Sequence, residues 1–82
     1  MKKVWISQDR DWVLWQVDFH KGTQLQLIKY DCDRPQAVVY LTDPAFIMTW
    51  YALPKYVRRA LTEQALVYQL TAPRPLPLYI GD

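Results

Sequence analysis

The side chains best placed for chemistry in this sequence are Lys55, Arg58 and Arg59. Their spacing of i, i+3 and i+4 sets them on neighbouring positions of a helix. Pro54, just ahead, starts that helix or kinks a longer one. The three cations fall in the first turns, where the macrodipole is already positive and free backbone N–H groups point outward. Cations there oppose the helix's own field, so a chain that places them there is equipped to collect an anion, such as a nucleic-acid phosphate. The plainer use is a solvated basic face, with Arg59 paired to Glu63 one turn on.

No other set of residues reaches a catalytic, metal or cofactor signature. His20 is the only histidine and falls beside a turn, with no second histidine or cysteine at zinc-ligand spacing. Cys32 lies between Asp31 and Asp33, whose charges disfavour a thiolate nucleophile. Asp9-Arg10-Asp11 and Asp31-Cys32-Asp33 pair carboxylates in turns without the regular oxygen spacing and closing Glu of a calcium loop. With Gly22 and Gly81 as the only glycines, there is no phosphate-binding loop and no dinucleotide fingerprint. The reading is a non-enzyme with no cofactor and no metal.

The elements that must hold these residues come from patterning. Val4-Trp5-Ile6-Ser7 reads as a short strand, and Gln8 to Asp11 as a polar turn. Val13, Trp15, Val17 and Phe19 alternate with Leu14, Gln16, Asp18 and His20, the period of a strand whose first set faces the core. Lys21-Gly22 supplies a hairpin turn and Gln24 to Tyr30 the return strand. Asp31 to Gln36 is a second connection, and Ala37 to Thr42 a fourth, β-branched strand. Asp43-Pro44 reads as a helix start, and Lys55 to Leu70 repeats with helical period, Val57, Ala60, Leu61, Gln64, Val67 and Tyr68 sharing a face. The fold class expected is α+β: an antiparallel three- to four-stranded meander, then one or two C-terminal helices and an extended Pro-rich tail. It is read as one small domain, with sheet over 1–42, helices over 43–70 and the tail over 71–82.

The segment from Pro44 to Leu53 is apolar almost without a break. An ordinary surface helix carries a single apolar stripe, and a chain of 82 residues has little interior for an element apolar all round. Aromatic residues make up 15% of the chain, a composition that suits cores and interface hot spots alike. Phe46, Ile47, Trp50 and Tyr51 are therefore the expected anchors of a protein interface, most simply a homodimer. Leu78, Tyr79 and Ile80 extend it from a tail stiffened by Pro73, Pro75 and Pro77. Those prolines alternate at spacing two, so the tail lacks the PxxP pattern of an SH3 ligand.

Net charge is only +2, too weak by itself to imply nucleic acid, and all of it lies in the second half of the chain. The single cysteine permits no intrachain disulfide, which favours a reducing setting. No apolar run has the length of a signal peptide or a membrane span. The expectation is a cytoplasmic regulatory or assembly protein that binds other chains or itself, without a membrane. The alternative is a nucleic-acid-binding module that uses Lys55, Arg58 and Arg59, with Trp12 or Tyr40 stacking on bases.

Overall fold

A computed structural model describes residues 1–19 and 22–71. Its contacts cluster into two compact units, Met1–Leu41 and Thr42–Asp82. The first is an antiparallel meander of β1 (Lys2–Ile6), β2 (Trp12–Phe19), β3 (Gly22–Asp31) and β4 (Arg34–Tyr40), in spatial order β1-β2-β3-β4. The second carries α1 (Phe46–Trp50) and α2 (Lys55–Thr71). The α+β class and the meander therefore stand as expected from the sequence. His20 and the Pro-rich tail with Leu78, Tyr79 and Ile80 lie outside the described residues.

The turn between β1 and β2 is held by Ser7, which is buried. The Ser7 hydroxyl donates to an Asp9 carboxylate oxygen and accepts the Trp12 backbone N–H at 3.0 Å. The same Asp9 oxygen accepts the Asp11 N–H at 3.0 Å. With these bonds made, Arg10 tolerates a left-handed φ of 67°. Between β2 and β3, Phe19 pairs with Gly22, whose φ of 145° few other residues adopt.

The last connection departs from expectation. The sequence suggests a loop over 31–36 and a strand from Ala37, whereas β4 begins at Arg34 and only Cys32 and Asp33 form the turn. Both have positive φ, 49° and 65°, as a two-residue loop of type I′ requires. Pro35 is tolerated in the strand because β4 lies at the sheet edge and the register shifts beside it, between Lys29 and Tyr30. A left-handed conformation costs a non-glycine residue about 1–2 kcal/mol, while glycine's extra freedom in the unfolded chain costs about 0.5–1 kcal/mol. Asp33→Gly should therefore stabilise the protein by about 0.5–1 kcal/mol in urea unfolding. A destabilised variant would show that the Asp33 side chain has a structural task the backbone geometry does not reveal.

The core face of β2 also differs from its reading. Leu14, Leu25 and Leu27 of the sheet, with Leu41 just past β4, are fully buried. Leu14 and Leu27 are opposite in register, and Leu27 faces Val39 in turn. Val13 is buried on the other face, but Trp15 and Val17 are only half-buried. The alternation was right in period and wrong in phase, because Gln16 and Asp18 share a face with Leu14 and outvote it in the pattern. Lys3 and Trp15 are a cross-strand pair, as are Trp12 and Lys29. In each, the ammonium sits over the indole, at 5.6 Å for Lys3 and 5.4 Å for Lys29.

At the hairpin end of β2, Asp18 accepts hydrogen bonds from the Gln16 amide at 3.1 Å and the Thr23 hydroxyl at 2.9 Å. These donors favour the ionised carboxylate, Gln16 most, and hold it below the usual aspartate range. A depressed carboxylate contributes stability above its unfolded pKa and loses it as pH falls through the folded value. A carbon-detected titration should place the Asp18 midpoint below the usual aspartate range, and Thr23→Val should raise it. An ordinary aspartate midpoint for Asp18 in the parent protein would contradict the hydrogen bonding.

Candidate functional site

The segment after the sheet resolves into a short helix, a break and a long helix. The Asp43 carboxylate accepts the Ala45 N–H at 2.9 Å, and the Asp43 carbonyl accepts the Phe46 N–H, so Asp43 does organise the helix start. It does so two residues early, because Ala45 occupies the cap position of α1. Bonds from Ala52 to the Thr49 carbonyl and from Leu53 to the Trp50 carbonyl close α1 in a tight turn. Pro54 then breaks the chain, and its carbonyl accepts the Val57 and Arg58 N–H groups, both at 3.0 Å, to open α2.

Across α1 and its C-cap Tyr51 the apolar side chains divide. Phe46 and Trp50, one turn apart, are buried and meet edge to face with ring centroids 6.0 Å apart. Ile47, Met48 and Tyr51 are 49%, 84% and 68% exposed. The expected interface residues thus fall into two sets: Phe46 and Trp50 inside the fold, and Ile47 and Tyr51 on the surface. Met48 was missed by the sequence reading, although it fills the gap between the exposed pair. The clue was its place between Ile47 and Tyr51 on the same turn.

Along α2, Val57, Leu61 and Ala65 recur every fourth residue and are buried, which fixes the opposite side as surface. Lys55 and Arg59 are exposed and Arg58 is half-buried. The Arg58 guanidinium lies 5.8 Å from the Tyr51 ring centroid, and its Nε is buried without an acceptor among the described residues. Arg58 therefore joins the basic cluster to the exposed apolar set. Arg59 and Glu63 form no ion pair among the described residues. A cavity of about 490 Å³ is lined by Trp50, Lys55, Arg58, Arg59, Thr62 and Glu63. A second, of about 510 Å³, adjoins it along Lys55, Tyr56, Arg59, Ala60 and Glu63. The first turn of α2 holds no acidic residue.

The described residues contain no group of His, Cys, Asp or Glu that could hold a metal ion. Cys32 is exposed and unpaired. No described helix is long and apolar enough to cross a membrane. No family model, curated protein or solved structure matches this chain. The arrangement itself offers an apolar surface turn flanked by cations, a combination suited to docking another macromolecule.

Proposed function

We propose that this chain is a small non-catalytic regulatory or assembly protein of the cytoplasm that acts by binding protein chains, its own copies included. The observation that carries the reading is the exposed trio Ile47, Met48 and Tyr51 on α1 and its C-cap, bordered by Arg58. Exposed apolar and aromatic side chains beside an arginine have the composition of interface centres. Sedimentation equilibrium up to high micromolar concentration tests self-association, and Met48→Glu should abolish or strongly weaken capture of a partner chain without loss of folding. A monomeric parent that also captures no partner would overturn this reading.

The second reading is nucleic-acid binding, supported by the exposure of Lys55 and Arg59 in the first turns of α2. Trp12 is a poor stacking platform because Lys29 already covers its ring. Fluorescence anisotropy with labelled single- and double-stranded oligonucleotides should give negligible binding at physiological salt. Submicromolar affinity would reverse the choice between the two readings if Lys55→Gln, Arg58→Gln and Arg59→Gln together abolish it. Whatever duplex binding the triple variant keeps at low salt should then have a salt slope flatter by about two to three units, since each phosphate contact releases counterions.

A further inference from the structure

We propose that the open edge of β4 is a self-pairing edge, on which a second copy of this chain adds its own β4 antiparallel about a two-fold axis near Val38. The inference rests on the proposed self-association and names the backbone that would carry it. Among the described residues no strand lies beyond β4, which pairs only with β3. The direction of its backbone groups follows from the register. The Leu41 N–H donates to the Leu25 carbonyl at 2.9 Å, so these two form a hydrogen-bonded pair. Such pairs alternate along an antiparallel ladder. Val39 opposite Leu27 and Ala37 opposite Lys29 therefore turn their N–H and C=O groups toward β3. Val38 opposite Ile28 and Tyr40 opposite Gln26 turn theirs outward.

A row of outward donors and acceptors is satisfied in full only by another extended backbone or by water. The two edges of this sheet are not treated alike. β1 carries Lys2 and Lys3 and an irregular register between Lys3 and Trp5, devices that blunt an edge against pairing. From Gln36 to Tyr40, β4 carries no charge at all. The side chains of Val38 and Tyr40, whose backbone groups turn outward, are 44% and 38% exposed. Pro35 stops pairing on one side, so the available edge is short and in one place. The partner that matches such a strand is its own copy. Antiparallel pairing centred on Val38 sets Val38 against Val38, Ala37 against Val39, and Gln36 against Tyr40, with no like charges opposed. The nearest charges, Arg34 and Asp43, fall outside that run. A closed two-fold pair also consumes the β4 edge of both copies and leaves only the blunted β1 edges, which prevents open-ended growth.

The test is sedimentation equilibrium of the full chain with amide hydrogen exchange at low and high concentration. The parent protein should double in mass as concentration rises. The Val38 and Tyr40 amides should gain at least tenfold protection in step with it, whereas Val39, already bonded to β3, should not change. Val38→Lys opposes two ammonium groups across the axis and should keep the protein monomeric, while Val38→Thr should still dimerise. Circular dichroism on Val38→Lys checks folding, and the exchange result on the parent stands if that variant fails to fold. A parent monomeric throughout overturns the proposal. So does a dimer that Met48→Glu dissociates while Val38→Lys leaves it intact and the Val38 and Tyr40 amides stay unprotected; that outcome would leave the proposed function standing with α1 as the dimer surface.

Discussion

Leu27→Ala should destabilise the protein by about 3–5 kcal/mol, the upper range for a leucine removed from a packed interior. Leu27 is 1% exposed and lies on β3 between Leu14 of β2 and Val39 of β4 in register. A truncation there leaves a cavity bordered by side chains fixed in a hydrogen-bonded ladder, which collapse poorly around it. Trp15→Ala removes a larger side chain yet should cost less. Trp15 is only half-buried, and its buried Nε1 has no acceptor among the described residues, so the truncation also removes an unsatisfied donor. Guanidinium melts of the two variants with unchanged m-values decide the matter. A larger loss for Trp15→Ala would restore the Val13, Trp15 and Val17 face as the core.

The contrast between Leu27 and Trp15 marks how far the sequence can be read. Strand identities follow from local alternation and turn residues, so the meander and its order were legible. The phase of β2 was not, because apolar residues occupy both faces and the polar Gln16 and Asp18 share a face with Leu14. The start of β4 was misread for a related reason. Pro35 looks like a loop residue until the strand is known to be an edge beside a register shift, a tertiary fact. Cys32-Asp33 is an unusual pair for a type I′ loop, where Asn-Gly would have announced the hairpin. In the helical segment, the apolar run told of a burial problem without saying which side chains escape it. Five residues of helix cannot bury both faces, and only the structure assigns Phe46 and Trp50 inward and Ile47, Met48 and Tyr51 outward. The basic cluster was legible by spacing, but the seat of Arg58 over Tyr51 was not, since it depends on the break at Pro54.

That division within α1 yields the second large effect. Trp50→Ala should destabilise the protein by about 3–5 kcal/mol, as removal of a buried aromatic does, because Trp50 is 2% exposed and packs on the edge of Phe46. Trp50→Phe should recover most of that loss. It keeps an aromatic ring in the site and removes the indole N–H, which is buried without an acceptor among the described residues. An unsatisfied buried donor costs about 1–3 kcal/mol, enough to offset much of the lost volume. Tyr51→Ala, one residue on, should behave in the opposite way. Its ring is largely exposed, so the stability change is confined to the contact with Arg58, worth about 0.5–1 kcal/mol at an exposed site. Binding of a partner chain, in contrast, should fall at least tenfold, since aromatic truncations at interface centres cost about 2 kcal/mol or more. Thermal melts and sedimentation on the same three variants separate the two roles. If Tyr51→Ala unfolds the protein or leaves association untouched, the outward face of α1 is not where this chain meets its partners.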